Sequence, residues 1–210
     1  MKNQVLKYFL ISLLVIVLDQ VVKMVVYYNM DMGTKGQLLI FGTWFKLHYL
    51  TNPGMAFGMK LDFEYGKLIL TVFRIGAMIA IGYYLYSLIT KEANKGLIIC
   101  IALILGGAIG NLVDSIFYGV WFDNAPFDAP SRWFHGQVID MFYIDIWEGY
   151  LPNWIPLLGG DYMALWPVFN IADAAIFTAI CFIIVFQKRY FKKEETETVV
   201  NTEIEQTLNE

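Results

Sequence analysis

The chain has 210 residues, of which 58 % are hydrophobic and only 16 % charged, with mean hydropathy +0.53 and a formal net charge of −4. So few charges cannot clothe a water-soluble domain, whose charged share is about 25 %, and the acidic balance speaks against a nucleic-acid partner. Disordered, collagen-like and disulfide-framed chains are excluded too, which leaves a polytopic membrane protein.

Four stretches reach the roughly 20 mostly apolar residues that a membrane-crossing helix needs: 6–28, 67–90, 97–118 and 170–190. The first is too long for a signal peptide, carries charges in its second half and lacks a small-residue cleavage site. All six prolines lie outside these spans, where no helical hydrogen bond is lost. Cys100 and Cys181 fall inside spans, as apolar fillers. Lys and Arg concentrate near 2–7, 91–95 and 188–193, which predicts both termini on the cytoplasmic side and loops 29–66 and 119–169 outside. All six Trp are expected in those two loops, as an aromatic girdle. Residues 194–210 hold six Glu and no Lys or Arg, so the rest of the chain carries +2. The expected organisation is one membrane domain over 1–193 and a solvated, disordered acidic tail over 194–210.

In the first outer loop, alternation from Trp44 predicts a strand that Asn52-Pro53-Gly54 breaks. In the second, Gly136–Asp145 is another β-like run with Asp140 at its middle, flanked by Ile139, Met141 and Phe142. Such neighbours desolvate a carboxyl and raise its pKa. No zinc-protease, CxxC, GxSxG or SxxK pattern occurs, so neither a metal, a cofactor nor a serine nucleophile is expected.

Polar groups inside spans are costly and are candidates for function. Span one carries Asp19, Gln20 and Lys23; span two Arg74; span three Asn111 and Asp114; span four Asn170 and Asp173. Each has a structural alternative: a buried Asp19–Lys23 pair that orients helices, a snorkelling Arg74, an Asn170 helix cap with Asp173 at N3. Gly106 and Gly110 form a GxxxG step, the mark of a close helix contact. These alternatives do not explain why four helices place their polar groups at one depth, near the outer ends.

Five motifs in order resemble the lipoprotein signal peptidases, the signal peptidase II family. They are Asp19-Gln20-x-x-Lys23, Asn52-Pro53-Gly54-Met55-Ala56-Phe57, Gly106-Gly107-Ala108-Ile109-Gly110-Asn111-Leu112-Val113-Asp114, Gly136-Gln137-Val138-Ile139-Asp140 and Phe169-Asn170-Ile171-Ala172-Asp173. The resemblance implies an all-α membrane protein of four transmembrane helices. It adds a small outer β-cradle around residues 44–49 and a short outer helix just after Gly54. It implies an aspartic endopeptidase, monomeric, in the bacterial inner membrane and sensitive to globomycin. Its substrates would be diacylglyceryl-modified prolipoproteins, cut just before the lipidated cysteine and met in membrane lipid. By motif, Asp140 and Asp173 would be the catalytic dyad, with Asp19, Lys23, Asn52, Gly54, Asn111, Asp114 and Asn170 binding substrate or supporting the dyad. One departure is Ser115, where the family has Arg; Arg74 or Arg132 is a candidate to substitute. The segments 120–135 and 146–168 also exceed the family's compact form and are expected to build an outer lid or rim. Two readings from other classes stay open: an ion-coupled transporter using Asp19, Lys23 and Asp114, and a non-catalytic lipoprotein-handling protein.

Overall fold

The computed structural model describes residues 2–53, 65–154, 159–160 and 162–191. Gly54, the short outer helix expected after it and the acidic tail 194–210 lie outside the described residues.

Helix α1 runs Lys2–Asn29, α2 Gly66–Thr90 and α3 Lys95–Val113. The last of these continues through a π turn, Asp114–Tyr118, into a final turn that ends at Trp121. Among the described residues three helices, Lys2–Asn29, Gly66–Thr90 and Lys95–Trp121, are thus long and apolar enough to cross a membrane. Helix α4, Ile171–Val185, has 15 residues, and a short turn over Gln187–Tyr190 follows it. Trp121 therefore belongs to a helix end and not to a loop, because the π turn prolongs α3 beyond its predicted limit.

Helix α3 is the hub, packing against α1, α2 and α4. Its glycines set the spacing. A Cβ on Gly106 would lie 2.8 Å from the Ser12 carbonyl oxygen, and one on Gly110 2.8 Å from Asp19 Oδ2, so both glycines face α1. A Cβ on Gly107 would instead run into the Ala172 carbonyl oxygen of α4. The GxxxG step is the close contact that its spacing predicts.

The buried residues of α1 are Tyr8, Ser12, Val15, Asp19, Lys23 and Val26, a stripe with three- and four-residue steps. Its lower end joins an apolar core with Leu85, Leu97, Ile98, Ala102 and Leu105, and its upper end a second core with Tyr49, Tyr118, Ile139 and Met141. The charged residues sit between the two. Leu10, Leu14, Val17, Val21 and Val25 point outward and are about half exposed or more, a belt suited to hydrocarbon and not to water.

Three antiparallel strands, β1 Leu38–Phe41, β2 Phe45–Asn52 and β3 Val138–Ile144, form a sheet in chain order. The predicted strands are present, and β2 reaches Asn52 before Pro53 stops it. Register pairs Leu50 with Asp140 and Asn52 with Val138, across an irregularity between Leu47 and Leu50. That pairing draws Asn52 alongside Asp140. A second hairpin, β4 Glu148–Tyr150 with β5 Tyr162–Ala164, occupies part of the segment expected as a rim.

Candidate active site

Asp140 leaves the middle of β3 at 2 % exposure and receives two side-chain amides. Asn52 Nδ2 donates to its Oδ2 across 3.1 Å, and Asn170 Nδ2 donates to its Oδ1 across 2.7 Å. Burial above all, and then the charge of Asp173, push the Asp140 carboxyl up to about 7. Both causes disfavour the ionised form.

Asp173 enters from the first turn of α4. Asn170 is the N-cap of that helix: its Oδ1 accepts from the Asp173 backbone N–H at 2.9 Å. The Asp173 carboxylate faces back to the Asn170 N–H, completing a capping box. The cap expected as a structural alternative is therefore real, and the same residue also holds Asp140. Asn111 of α3 donates to Asp173 Oδ1 across 2.8 Å, and its own oxygen accepts from Asn170 Nδ2 at 3.1 Å. Both aspartates thus hang from one pair of linked asparagines.

A charged cluster lies directly behind that pair. Lys23 Nζ is 2.7 Å from Asp19 Oδ2, 2.6 Å from Asp114 Oδ2 and 3.0 Å from Asn111 Oδ1, with both ion pairs fully buried. Buried charges persist only when every lone pair is engaged. Here Asp19 Oδ1 accepts from the Ala172 N–H at 2.9 Å, and Asp114 Oδ2 from the Ile139 N–H at 3.3 Å. The cluster therefore fastens α1 and α3 to the start of α4 and to β3, the two elements that carry Asp173 and Asp140. Asp19, Lys23, Asn52, Asn111, Asp114, Asn170, Asp140 and Asp173 all converge on this place.

Several members were not among the predicted dyad and supporting residues, although Gln20 stood among the polar groups of span one. Gln20 Nε2 donates to Asp114 Oδ1 at 2.8 Å, and Tyr118 donates to Gln20 Oε1 at 2.9 Å. Gln20 had a signal, its place beside Asp19; Tyr118 had none. Lys67 Nζ donates to the Pro53 carbonyl, which ties α2 to the end of β2 beside Asn52. The π turn contributes as well. Its widened ring leaves the carbonyls of Ser115 and Ile116 to accept from Gly136 and Phe134, at 3.0 and 3.2 Å. That docks the run leading into β3. Gly136 is needed there, since a Cβ would strike the Asp114 carbonyl oxygen.

Of the two candidate arginines only Arg74 reaches the site, its Nη1 3.1 Å from Ser115 Oγ. Arg132 pairs instead with Asp123 on the surface, both side chains well over half exposed. A cavity of about 730 Å³ opens over the site, lined by Asn52, Arg74, Asn111, Val138, Asp173 and the aromatic wall of Trp166, Phe169 and Phe177.

Apolar helices of membrane-crossing length, with Asp173 lining a largely apolar cavity and Asp140 buried behind it, point to a membrane enzyme of the acid–base type. The comparisons narrow this further. A family model described as "Signal peptidase (SPase) II" matches residues 11–188. A lipoprotein signal peptidase of Amoebophilus asiaticus (strain 5a2) is 48 % identical over 217 residues, covering 100 % of this chain and 91 % of the relative. One from Porphyromonas gingivalis (strain W83) is 41 % identical over 187 residues, covering 84 % of this chain and 80 % of the relative. A bacterial membrane enzyme solved by the in meso method at 2.3 Å resolution shares the fold. Its TM-score is 0.59 at 23 % identity, covering 90 % of this chain and 93 % of that one. The chain belongs to the signal peptidase II family, and is an aspartic peptidase.

Proposed function

We propose that Asp140 and Asp173 are the catalytic dyad with which the enzyme cleaves signal peptides from diacylglyceryl-modified prolipoproteins, on the N-terminal side of the lipidated cysteine. The observation that carries this reading is the suspension of the two carboxylates from the linked pair Asn111 and Asn170, beside the cavity that Asn111 and Asp173 line. Two carboxylates that feel each other share one proton, since ionising both is costly. The ionised member removes a proton from water, and the water oxygen bonds to the scissile carbonyl carbon. The protonated member donates to the carbonyl oxygen. As the tetrahedral intermediate collapses, the C–N bond breaks, the leaving nitrogen takes the proton that the dyad removed from water, and the hydroxyl that re-forms C=O returns its proton to the dyad. The pair titrates as a unit, so acid and base are not apportioned between the two residues.

The apolar signal helix occupies the cavity between α2, α3 and α4, against Trp166 and Phe177. Helix α4, prolonged by the turn Gln187–Tyr190, is the fourth span. From Ile171 to Tyr190 the two cover 20 residues, about 30 Å, which matches a hydrocarbon core of about 30 Å. Asn170 and Asp173 then lie near the membrane boundary, where water and the glycerol of a lipid substrate meet. The Lys and Arg bias supports cytoplasmic termini and a site near the outer face, and the enzyme acts as a monomer with one membrane domain over 1–193. An assay with a lipidated precursor tests the reading. Asp140→Asn and Asp173→Asn are each expected to abolish cleavage while the protein still accumulates in the membrane. Cleavage by both variants would overturn it, and globomycin should inhibit the wild type.

A further inference from the structure

Lys67 stands in the first turn of α2, a place that helix electrostatics disfavour. The amino end of a helix carries the positive end of its dipole, so a cation there is repelled. No acidic residue shares that turn, and among the described residues Lys67 forms no ion pair. Arg74 on its own helix and Asp114 on α3 are the charged groups near enough to act on it. A residue that breaks a local rule marks a place where function sets the choice.

What Lys67 holds is the end of β2. The ladder closes with Asn52 opposite Val138, and Pro53 has no N–H with which to continue it. The Pro53 carbonyl turns to α2 and accepts from Lys67 Nζ. One turn further along α2, the fully buried Thr71 sets its hydroxyl 3.0 Å from the Phe134 carbonyl oxygen, in the run that leads into β3. The first two turns of α2 thus clasp both chain segments that meet at Asp140. Asn52, next to the held carbonyl, supplies one of the two amides on that carboxyl, at 3.1 Å. This contact stands near the long end of the usual range of about 2.7–3.2 Å, so a small retreat of the strand end breaks it.

We propose that Lys67 is a positioning residue of the peptidase: by gripping the Pro53 carbonyl it keeps the Asn52 amide on Asp140. The proposal rests on Asp140 being one of the dyad. The Asn52 amide favours the ionised Asp140 carboxyl, as does the charge of Lys23, while Asp173 opposes ionisation. Losing the amide therefore raises the proton affinity of Asp140.

Kinetics on a lipidated precursor across pH test it, with K67M, K67R, N52A and K67M/N52A. K67M is expected to lower kcat about tenfold with KM within about twofold, and to carry the alkaline limb of kcat upward by about half a pH unit or more. N52A should do the same. The double variant should be no slower than N52A, because both changes remove one contact. K67R should restore most of the rate and return the limb, since its N–H groups still reach a carbonyl. A merely structural Lys67 would lower yield or melting temperature and leave the limb in place. A limb unmoved in K67M or in N52A, or losses that multiply in the double variant, overturns the proposal. Should K67M fail to accumulate in the membrane, K67Q, one bond shorter and uncharged, is judged by the same limb. Cleavage by D140N and D173N alike would overturn the dyad reading. With those two inactive, an unmoved limb overturns the role of Lys67 alone.

Discussion

Asn170 donates its side-chain amide to Asn111 across 3.1 Å, and this one contact joins the holders of Asp140 and Asp173. The two aspartates come from a strand and a helix start that backbone bonds between Phe142 and Phe169 already hold together. The asparagine pair adds the side-chain link between the two carboxyls.

Removing either amide should therefore disturb chemistry more than binding. A hydrogen bond to a charged group contributes about 1.5–3 kcal/mol, equivalent to roughly 10- to 150-fold in rate. Asn111→Ala and Asn170→Ala are each expected to lower kcat in that range with KM nearly unchanged. A loss confined to KM would assign the asparagines to substrate binding instead.

The Asp140 carboxyl, pushed from its ordinary 3.8 to about 7, makes both rate and stability depend on pH. The native state keeps a proton that the unfolded chain releases. Its stabilising contribution is complete below about pH 4 and is lost as pH rises through about 7. Asp140→Asn lacks that loss. Its melting temperature in detergent should gain on the wild type between about pH 5 and pH 8, and a constant gap would refute the assignment. Wild-type cleavage should fall on the alkaline side of about pH 7, as the shared proton leaves.

Lys23 neutralises two buried carboxylates, so its removal strands both. Lys23→Met is expected to cost about 3–5 kcal/mol or to prevent accumulation altogether. The triple change D19N/K23M/D114N should recover part of that stability, read as melting temperature or membrane yield. Equal instability in the single and triple variants would show that the ion pairs are not the source.

Gly110→Ala offers a steric test. The new methyl would meet Asp19 Oδ2 at 2.8 Å, inside the tightest part of the contact between α1 and α3. Overpacking of this kind costs typically about 1–3 kcal/mol. Here it should also lower activity, because Asp19 fastens the Ala172 N–H at the start of α4. A variant with wild-type melting and turnover would mean that the helices part without consequence.

What the sequence made legible follows from the cost of burying charge. Asp19, Lys23, Asn111, Asp114, Asn170 and Asp173 stood out because nothing but a shared site repays placing them in apolar helices. The predicted strands and the Asn170 cap were readable for a different reason, since both depend on neighbours along the chain. What stayed hidden depends on distant ones. Gln20 and Tyr118 are 98 positions apart, and no local pattern announces their meeting. Arg74 was expected to stand in at Ser115, 41 positions away, only through the family resemblance. The β4–β5 hairpin escaped because its pairing joins residues separated by a long intervening segment. Arg132 was misjudged because charge alone did not reveal Asp123 beside it.

The capping box at Asn170 has a consequence for the life of the molecule. The residue that starts α4 is also the one that grips Asp140, so a helix synthesised after β3 assembles the site. A nascent chain with only its first three helices inserted carries Asp140 but neither Asp173 nor the Asn170 amide. On the proposed dyad such a chain would be unable to cleave. The order of synthesis would then withhold activity until α4 is in place.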